Sequence, residues 1–213
     1  MKKVAIDASP TESGHSTRGI GSYTRQLIRA LKKGKFNLEF EFFTNPGSPP
    51  PADLVHYPYF DLFFRTLPVK KTTARGVTIH DVIPLVFPQY FPAGVRGYIN
   101  LFFQKRALAN TDFIICDSNA SRADIIDKLS YPAEKTHVVY LAAGKNFKKL
   151  ENRELLESVR KKFHLPKEFV LYVGDVNWNK NIEGLISAVA KAKIPAVFVG
   201  HAITDQDLAP VKK

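Results

Sequence analysis

A histidine and an aspartate, His80 and Asp81, stand directly after a short β-branched run and before three prolines at positions 84, 88 and 92. The run Val77–Ile79 is typical of a buried parallel strand, and the prolines prevent a regular element from continuing. A titratable pair at the end of such a strand lies where open α/β sheets bind ligands. The bland alternative is that both residues merely end the strand and cap the next turn.

Two other loops place glycine or lysine at the start of a predicted helix, where free N–H groups and the helix dipole attract anions. In the first, residues 18–21 read Arg-Gly-Ile-Gly, so Gly19 and Gly21 allow backbone to approach a phosphate or a sugar hydroxyl. Position 24 is threonine, which disfavours a dinucleotide fingerprint. In the second, Lys180 suits a diphosphate. The alternatives are glycines that serve only helix–sheet contact and a lysine that covers surface.

The segments that must position these residues alternate between strands and helices. Hydrophobic periodicity predicts strands at 4–8, 38–43, 54–57, 77–80, 112–116 and 136–141, and helices at 19–33, 92–110 and 118–129. The helix at 92–110 is predicted to carry on one face Tyr98, Leu101, Phe102, Leu108 and Ala109. This alternation predicts the α/β class, with a doubly wound parallel sheet.

The composition of the sequence changes after the sixth predicted strand. Residues 1–141 hold the elements above and are predicted to form one domain. Residues 142–166 are polar and basic, contain a helical pattern at 152–163, and are interpreted as an interdomain connection. Residues 167–213 begin a new strand–helix–strand unit with too few elements to close a sheet. We therefore expect a second domain that is incomplete in this chain.

The formal net charge of the 213 residues is +11, a field that attracts nucleic acid, anionic lipid or phosphorylated ligands, or is plain solvated surface. Four cations share the outer face of the first predicted helix: Arg25, Arg29, Lys32 and Lys33. The single cysteine, Cys116, has no internal disulfide partner, which fits a reducing compartment. With no signal-peptide core and no membrane-spanning run, we expect a cytoplasmic chain.

Metal-binding patterns are weak. The acids of Asp205-Gln206-Asp207 follow a predicted N-cap and are interpreted as complements to a helix dipole. The histidines lack metal-ligand spacing. We therefore expect neither a metal nor another cofactor.

Four groups of residues occur together in one order. They are Asp7-Ala8-Ser9 with 18–21, then Val77–Pro84, then 116–121 with Val138–Tyr140, and finally 173–175 with Lys180-Asn181. The set resembles the retaining nucleotide-sugar glycosyltransferases of the GT-B fold, family 4. The resemblance covers essentially the whole chain.

The resemblance implies two Rossmann-like domains, of which the N-terminal one binds the acceptor and the C-terminal one the nucleotide-sugar donor. It places Gly19 and Gly21 beside the donor phosphates and sugar, His80 against the transferred sugar, and Lys180 at the leaving diphosphate. His80 and Asp81 are the predicted catalytic residues. The implied reaction is metal-independent front-face transfer to an acceptor hydroxyl, in polysaccharide or glycolipid synthesis. The implied acceptor is a polysaccharide or lipid-linked sugar. Contact of the basic helix face with acceptor or anionic membrane is expected, and nucleic acid is not.

Two departures from the family pattern affect the expected activity. Asp175 stands where many members have arginine, and the Glu-x7-Glu element of the donor domain has no counterpart. We therefore expect that this chain alone does not transfer sugar. The competing hypothesis is a non-catalytic basic α/β module that docks on anionic membrane or on a partner protein.

Overall fold

A six-stranded, fully parallel sheet organises residues 1–144 of the computed structural model, which describes residues 1–144 and 147–200. Its strands are β1 (Lys2–Asp7), β2 (Leu38–Phe43), β3 (Leu54–Tyr57), β4 (Ala74–Thr78), β5 (Phe113–Cys116) and β6 (Thr136–Val138). Their spatial order is β2-β1-β3-β4-β5-β6. The predicted doubly wound parallel sheet is confirmed. Because the winding direction reverses between β1 and β3, their carboxyl ends border the crevice where such sheets bind ligands.

Four helices connect these strands: α1 (Gly19–Lys33), α2 (Ile83–Val86), α3 (Gly94–Ala109) and α4 (Asn119–Leu129). The start of α4 is fixed by Ser118, whose hydroxyl oxygen accepts the Ser121 N–H at 3.0 Å, as the N-cap pattern predicted. The hydrophobic core is continuous between strands and helices, and it includes Ala5, Val55, Val77, Leu108, Ile114 and Ile125.

The fourth strand begins and ends earlier than predicted, because a buried arginine and a glycine form part of it. β4 covers Ala74–Thr78, and Arg75 is only 4% exposed. The Arg75 guanidinium donates to the carbonyls of Pro68 and Lys70, each at 2.7 Å. The ring of Phe113 occupies the space beside Gly76 that a Cβ would fill. Neither residue has the β-branched character that marked the rest of the strand.

The predicted inner face of α3 is wrong for its aromatic residues. Tyr98 and Phe102 are 58% and 57% exposed, while Gly97 and Gln104 are buried. The reason is that the loop after β3 packs against this helix and hydrogen-bonds the Gln104 amide. The loop approaches Gly97 closely, so that position requires a small residue. The backbone of the loop needs hydrogen-bond partners, so position 104 holds an amide side chain. Neither position therefore has the large apolar side chain that the periodic pattern uses to mark an inner face.

The second unit covers residues 145–213. Its described part contains α5 (Arg153–Lys162), β7 (Val170–Val173), α6 (Ile182–Ala192) and β8 (Ala196–Val199), with β7 parallel to β8. This is the predicted second strand–helix–strand unit. The interpretation of residues 142–166 as an interdomain connection stays a prediction, and the Asp205–Asp207 pair lies outside the described residues.

Within residues 1–144 and 147–200, none of the helices has the length and apolar character required to cross a bilayer.

Replacing Arg75 by methionine should lower the free energy of unfolding by roughly 2–4 kcal/mol, because it removes the buried guanidinium and its hydrogen bonds to partly buried carbonyls. The measurement is urea unfolding of the 213-residue chain. Arg29→Met, on the exposed side of α1, is the matched control and should change the free energy by less than about 1 kcal/mol. Equal losses in the two variants would contradict a structural role for Arg75.

Candidate active site

His80 lies at the carboxyl-end edge of the sheet, close to the first turn of α1. Its Nδ1 is 2.6 Å from the Asp117 carboxylate, and the side chains of His80 and Asp117 are 19% and 20% exposed. The Tyr23 ring packs nearly perpendicular to the imidazole, with an interplanar angle of 86° and the ring centroids 4.8 Å apart. His80 is therefore held on two sides, by a carboxylate from the end of β5 and by an aromatic ring from α1.

Asp81 makes a different contact from its neighbour. It is exposed, and its carboxylate accepts the Ile83 N–H at 3.1 Å, at the start of α2. This is the turn-capping contact of the bland alternative. Asp81 nevertheless lines the same cavity as His80, and its catalytic role stays a prediction.

A cavity of about 230 Å³ opens beside His80, Asp81 and Pro84. Its wall includes Ile20 from α1 and the loop of residues 59–64. Aromatic rings dominate this loop, and Asp61 shapes it, since one carboxylate oxygen accepts the N–H groups of Phe63 and Phe64. The result is an apolar cavity with a few polar groups at one end, the usual character of a small-molecule site.

The cavity wall is fixed from behind by Gln104 of α3. The Gln104 side chain is fully buried and donates to the Asp61 carbonyl at 3.0 Å and to the Thr66 hydroxyl at 2.9 Å. Its amide oxygen accepts the Leu67 N–H at 3.3 Å. The loop that forms the wall is therefore tied to a helix rather than free to move.

The two glycines at the start of α1 have different environments. A Cβ on Gly21 would lie 2.8 Å from the Ser16 Cα and against the His15 carbonyl, so the absence of a side chain lets the preceding loop cross the helix. Around Gly19 nothing lies within 4 Å of that position. A structural reason therefore accounts for Gly21, whereas the space beside Gly19 is open to a ligand.

Two buried side-chain nitrogens lack a hydrogen-bond partner among the residues that the structure describes, and both belong to this edge of the sheet. They are His80 Nε2 and His15 Nδ1. His15 packs on Tyr59, a cavity residue, at a centroid distance of 4.7 Å. Because buried polar atoms are nearly always paired in folded proteins, these two unpaired nitrogens make the edge a candidate ligand site.

A second histidine, His56, lies at the end of β3 below the site. Its Nε2 is 2.9 Å from the Thr78 hydroxyl, which also lies 3.4 Å from the Tyr23 hydroxyl. Burial lowers the pKa of His56 to about 4. The neutral ring thus takes part in a buried polar chain that ends at Tyr23, the residue that faces His80.

The remaining predicted site residues are the four cations of α1, in the first unit, and Lys180, in the second. Arg29, Lys32 and Lys33 are exposed on α1, Arg25 is half-buried, and the Lys32 ammonium lies 4.9 Å from the Phe42 ring centroid. Lys180 is exposed in the second unit, just before α6, where Asn181 caps Gly184. Both placements agree with the predicted elements, while the roles in binding stay predictions.

Sequence reasoning missed several residues of this site, above all Asp117, His15 and Tyr59. A signal for Asp117 was present, because it directly follows the apolar strand ending at Cys116, as His80 follows its own strand. His15 and Tyr59 stand in loops without periodicity, and only the fold brings them together.

Among the described residues, no group of three or more His, Cys, Asp or Glu side chains is placed to hold a metal ion.

Residues 50–142 match the model of Glycosyltransferase Family 4. This segment contains His80, Asp81 and Asp117, together with the 59–64 loop. The match confirms the resemblance to that family. The glycine loop and Lys180 lie outside it.

Curated relatives come from Escherichia coli. The chain is 25% identical over 137 residues to O-antigen chain mannosyltransferase B, covering 62% of this chain and 36% of that protein. It is 27% identical over 131 residues to the serotype-specific mannosyltransferase WbdA, covering 60% of this chain and 16% of that protein. The chain thus aligns with only about a third or less of the length of these relatives.

Among solved structures, Anabaena HepE in complex with UDP aligns with 99% of this chain and 72% of its own, at 15% identity and a TM-score of 0.43. The wall teichoic acid polymerase TagF aligns with 99% of this chain and 60% of its own, at 11% identity and the same TM-score. These scores are below the level usual for a shared fold.

Gly21→Ala and Gly19→Ala should have opposite effects on stability. Both gain the helical preference of alanine, worth about 1 kcal/mol, but only Gly21→Ala forces a Cβ against loop backbone, at a cost of roughly 1–3 kcal/mol. Urea unfolding should therefore find Gly21→Ala less stable than Gly19→Ala. If the two variants are equally stable, the loop does not cross α1 as the structure shows.

His56 should make the chain lose stability in mild acid. The folded pKa of about 4 lies below the ordinary value of 6.5, so the unfolded chain binds the extra proton. The contribution is complete above pH 6.5 and falls by roughly 3 kcal/mol as the pH drops to about 4. The measurement is the free energy of unfolding against pH for wild type and His56→Gln. Asp7, whose pKa burial raises, is common to both chains and cancels. Parallel curves would contradict a neutral buried His56.

Proposed function

From this family match, we propose that the chain is the acceptor-side part, with the start of the donor-side part, of a retaining glycosyltransferase. The supporting observation is His80, which lies inside the matched segment, lines a cavity at the carboxyl ends of parallel strands, and has an unpaired buried nitrogen. Of these three properties, the unpaired buried nitrogen is the one that a plain turn-capping role does not account for.

The proposed donor is a nucleotide sugar and the proposed acceptor a hydroxyl of a cell-envelope polysaccharide or lipid-linked sugar. The curated relatives that match are all named as mannosyltransferases, so a mannosyl donor is the first to test. The aromatic loop at 59–64 supports a sugar acceptor, because flat rings cover the apolar faces of a pyranose while Asp61 and Asp81 can accept hydrogen bonds from its hydroxyls. The proposed location is the cytoplasm, with the basic face of α1 as a membrane or acceptor contact.

In the proposed reaction, the acceptor hydroxyl attacks the anomeric carbon on the face that the diphosphate leaves, so the configuration is retained. His80 holds the transferred sugar, with Asp81 beside it. Gly19 lets backbone N–H groups of α1 approach the phosphates, and Lys180 supplies a cation to the leaving diphosphate. Fixed donors aimed at developing charge are the main source of rate enhancement in such a step, and the proposal requires no metal ion.

His80→Ala in the complete encoded protein should lower turnover by about a hundredfold or more, with little change in melting temperature because the side chain is partly exposed. The measurement is transfer of a labelled hexose, beginning with mannose, from its nucleotide donor to a polysaccharide acceptor. His137→Ala, at an exposed position in β6, is the matched control and should retain wild-type turnover. Wild-type turnover in His80→Ala would exclude the site.

A further inference from the structure

The ring of His80 has one protein partner for its two nitrogens, and that partner is Asp117. Nδ1 lies 2.6 Å from the Asp117 carboxylate, whereas Nε2 is buried and has no partner within the described chain. The two nitrogens of an imidazole have different roles, and the hydrogen bond made by one sets the protonation of the other. Asp117 therefore has a direct means of deciding what Nε2 can do.

The position of Asp117 is set by the backbone on both sides of it. The preceding residue, Cys116, is paired with Val138 in the sheet, and its carbonyl accepts the Val139 N–H at 2.9 Å. The following residue, Ser118, is the N-cap of α4. A carboxylate beside this helix start is also favoured by the positive end of the helix dipole. The negative charge therefore lies at a fixed point opposite His80.

We infer that Asp117 is a positioning residue that accepts the Nδ1–H of His80 and so selects, for the neutral ring, the tautomer whose Nε2 carries no proton. An ionised carboxylate only accepts hydrogen bonds, so the proton must be on Nδ1. The inference rests on the proposed function for its ligand. It goes further by assigning the chemistry that Nε2 recognises.

A bare Nε2 accepts a hydrogen bond and cannot donate one. It therefore fits a ligand O–H, such as a sugar hydroxyl, and does not fit an ionised phosphate oxygen, which needs a donor. The Tyr23 ring, packed perpendicular to the imidazole at a centroid distance of 4.8 Å, limits rotation of the imidazole. In this tautomer His80 recognises a ligand hydroxyl by accepting its hydrogen bond, and the phosphate contacts must come from other groups.

The first test measures the His80 tautomer in the ¹⁵N-labelled 213-residue chain by long-range ¹H–¹⁵N NMR, at a pH above the ordinary range of histidine titration. The expected spectrum has a protonated Nδ1 and an unprotonated Nε2. Asp117→Asn keeps the side-chain shape but presents an amide donor, and Asp117→Ala removes the partner, so both should shift the proton to Nε2. Asp127→Ala, which removes an exposed carboxylate from α4, should leave the tautomer unchanged. An Nε2–H signal in wild type, or no change in either Asp117 variant, overturns the inference.

The second test measures kcat and KM of the complete encoded protein. Asp117→Asn should lower kcat by roughly ten- to a hundredfold, the loss typical when the partner that orients a functional histidine is removed, while Asp127→Ala should not. A shifted tautomer with unchanged kcat overturns the positioning role. Failure of the proposed function is a separate outcome, because it appears as no turnover in wild type whatever the NMR result.

Discussion

The pairing of β4 with β5 is the constraint on which the candidate site depends. In this parallel register Thr78 is opposite Ile115, and the Ile79 N–H bonds the Ile115 carbonyl at 2.9 Å. Two residues beyond Thr78 and Ile115, the side chains of His80 and Asp117 are in contact. A slip by one residue would turn alternate side chains to the other face of the sheet, and the histidine would lose its carboxylate. The geometry of two side chains is therefore fixed by a run of backbone hydrogen bonds deep in the core.

Around this register, buried polar side chains replace apolar packing at the points where loops join the sheet. Arg75 holds the segment before β4 through carbonyl oxygens, and Gln104 holds the cavity wall. Loops carry polar backbone that must find partners when it is covered. Here Arg75 of β4 and Gln104 of α3 are those partners. Because both belong to regular elements, they hold the irregular loops in fixed positions.

Sequence reasoning succeeded where the structure depends on local pattern and failed where it depends on contacts between distant segments. Periodicity found α1 to the residue and placed His80 at the end of a buried strand, because both depend on local pattern. Periodicity predicted that Tyr98 and Phe102 of α3 face inward, which is wrong. No local pattern shows that a distant loop packs on the side of Gly97 and Gln104. For Gly21, a glycine near a helix start indicated a ligand. The structure adds a loop that crosses the helix there, and the ligand role stays a prediction. Asp117 could be found only by knowing which strands are neighbours, and strand order is a long-range property.

The three hydrogen bonds by which Gln104 holds the cavity wall have a consequence for how this protein responds to ionic strength. Salt screens interactions between charges over about 10 Å at 0.1 M, but the amide of Gln104 and its three partners carry no formal charge. The attachment of the cavity wall to α3 is therefore insensitive to screening by salt, unlike the long-range attraction that a chain of net charge +11 exerts on an anion. Concentrated salt should therefore weaken anion binding by screening that attraction, while the three hydrogen bonds of Gln104 remain.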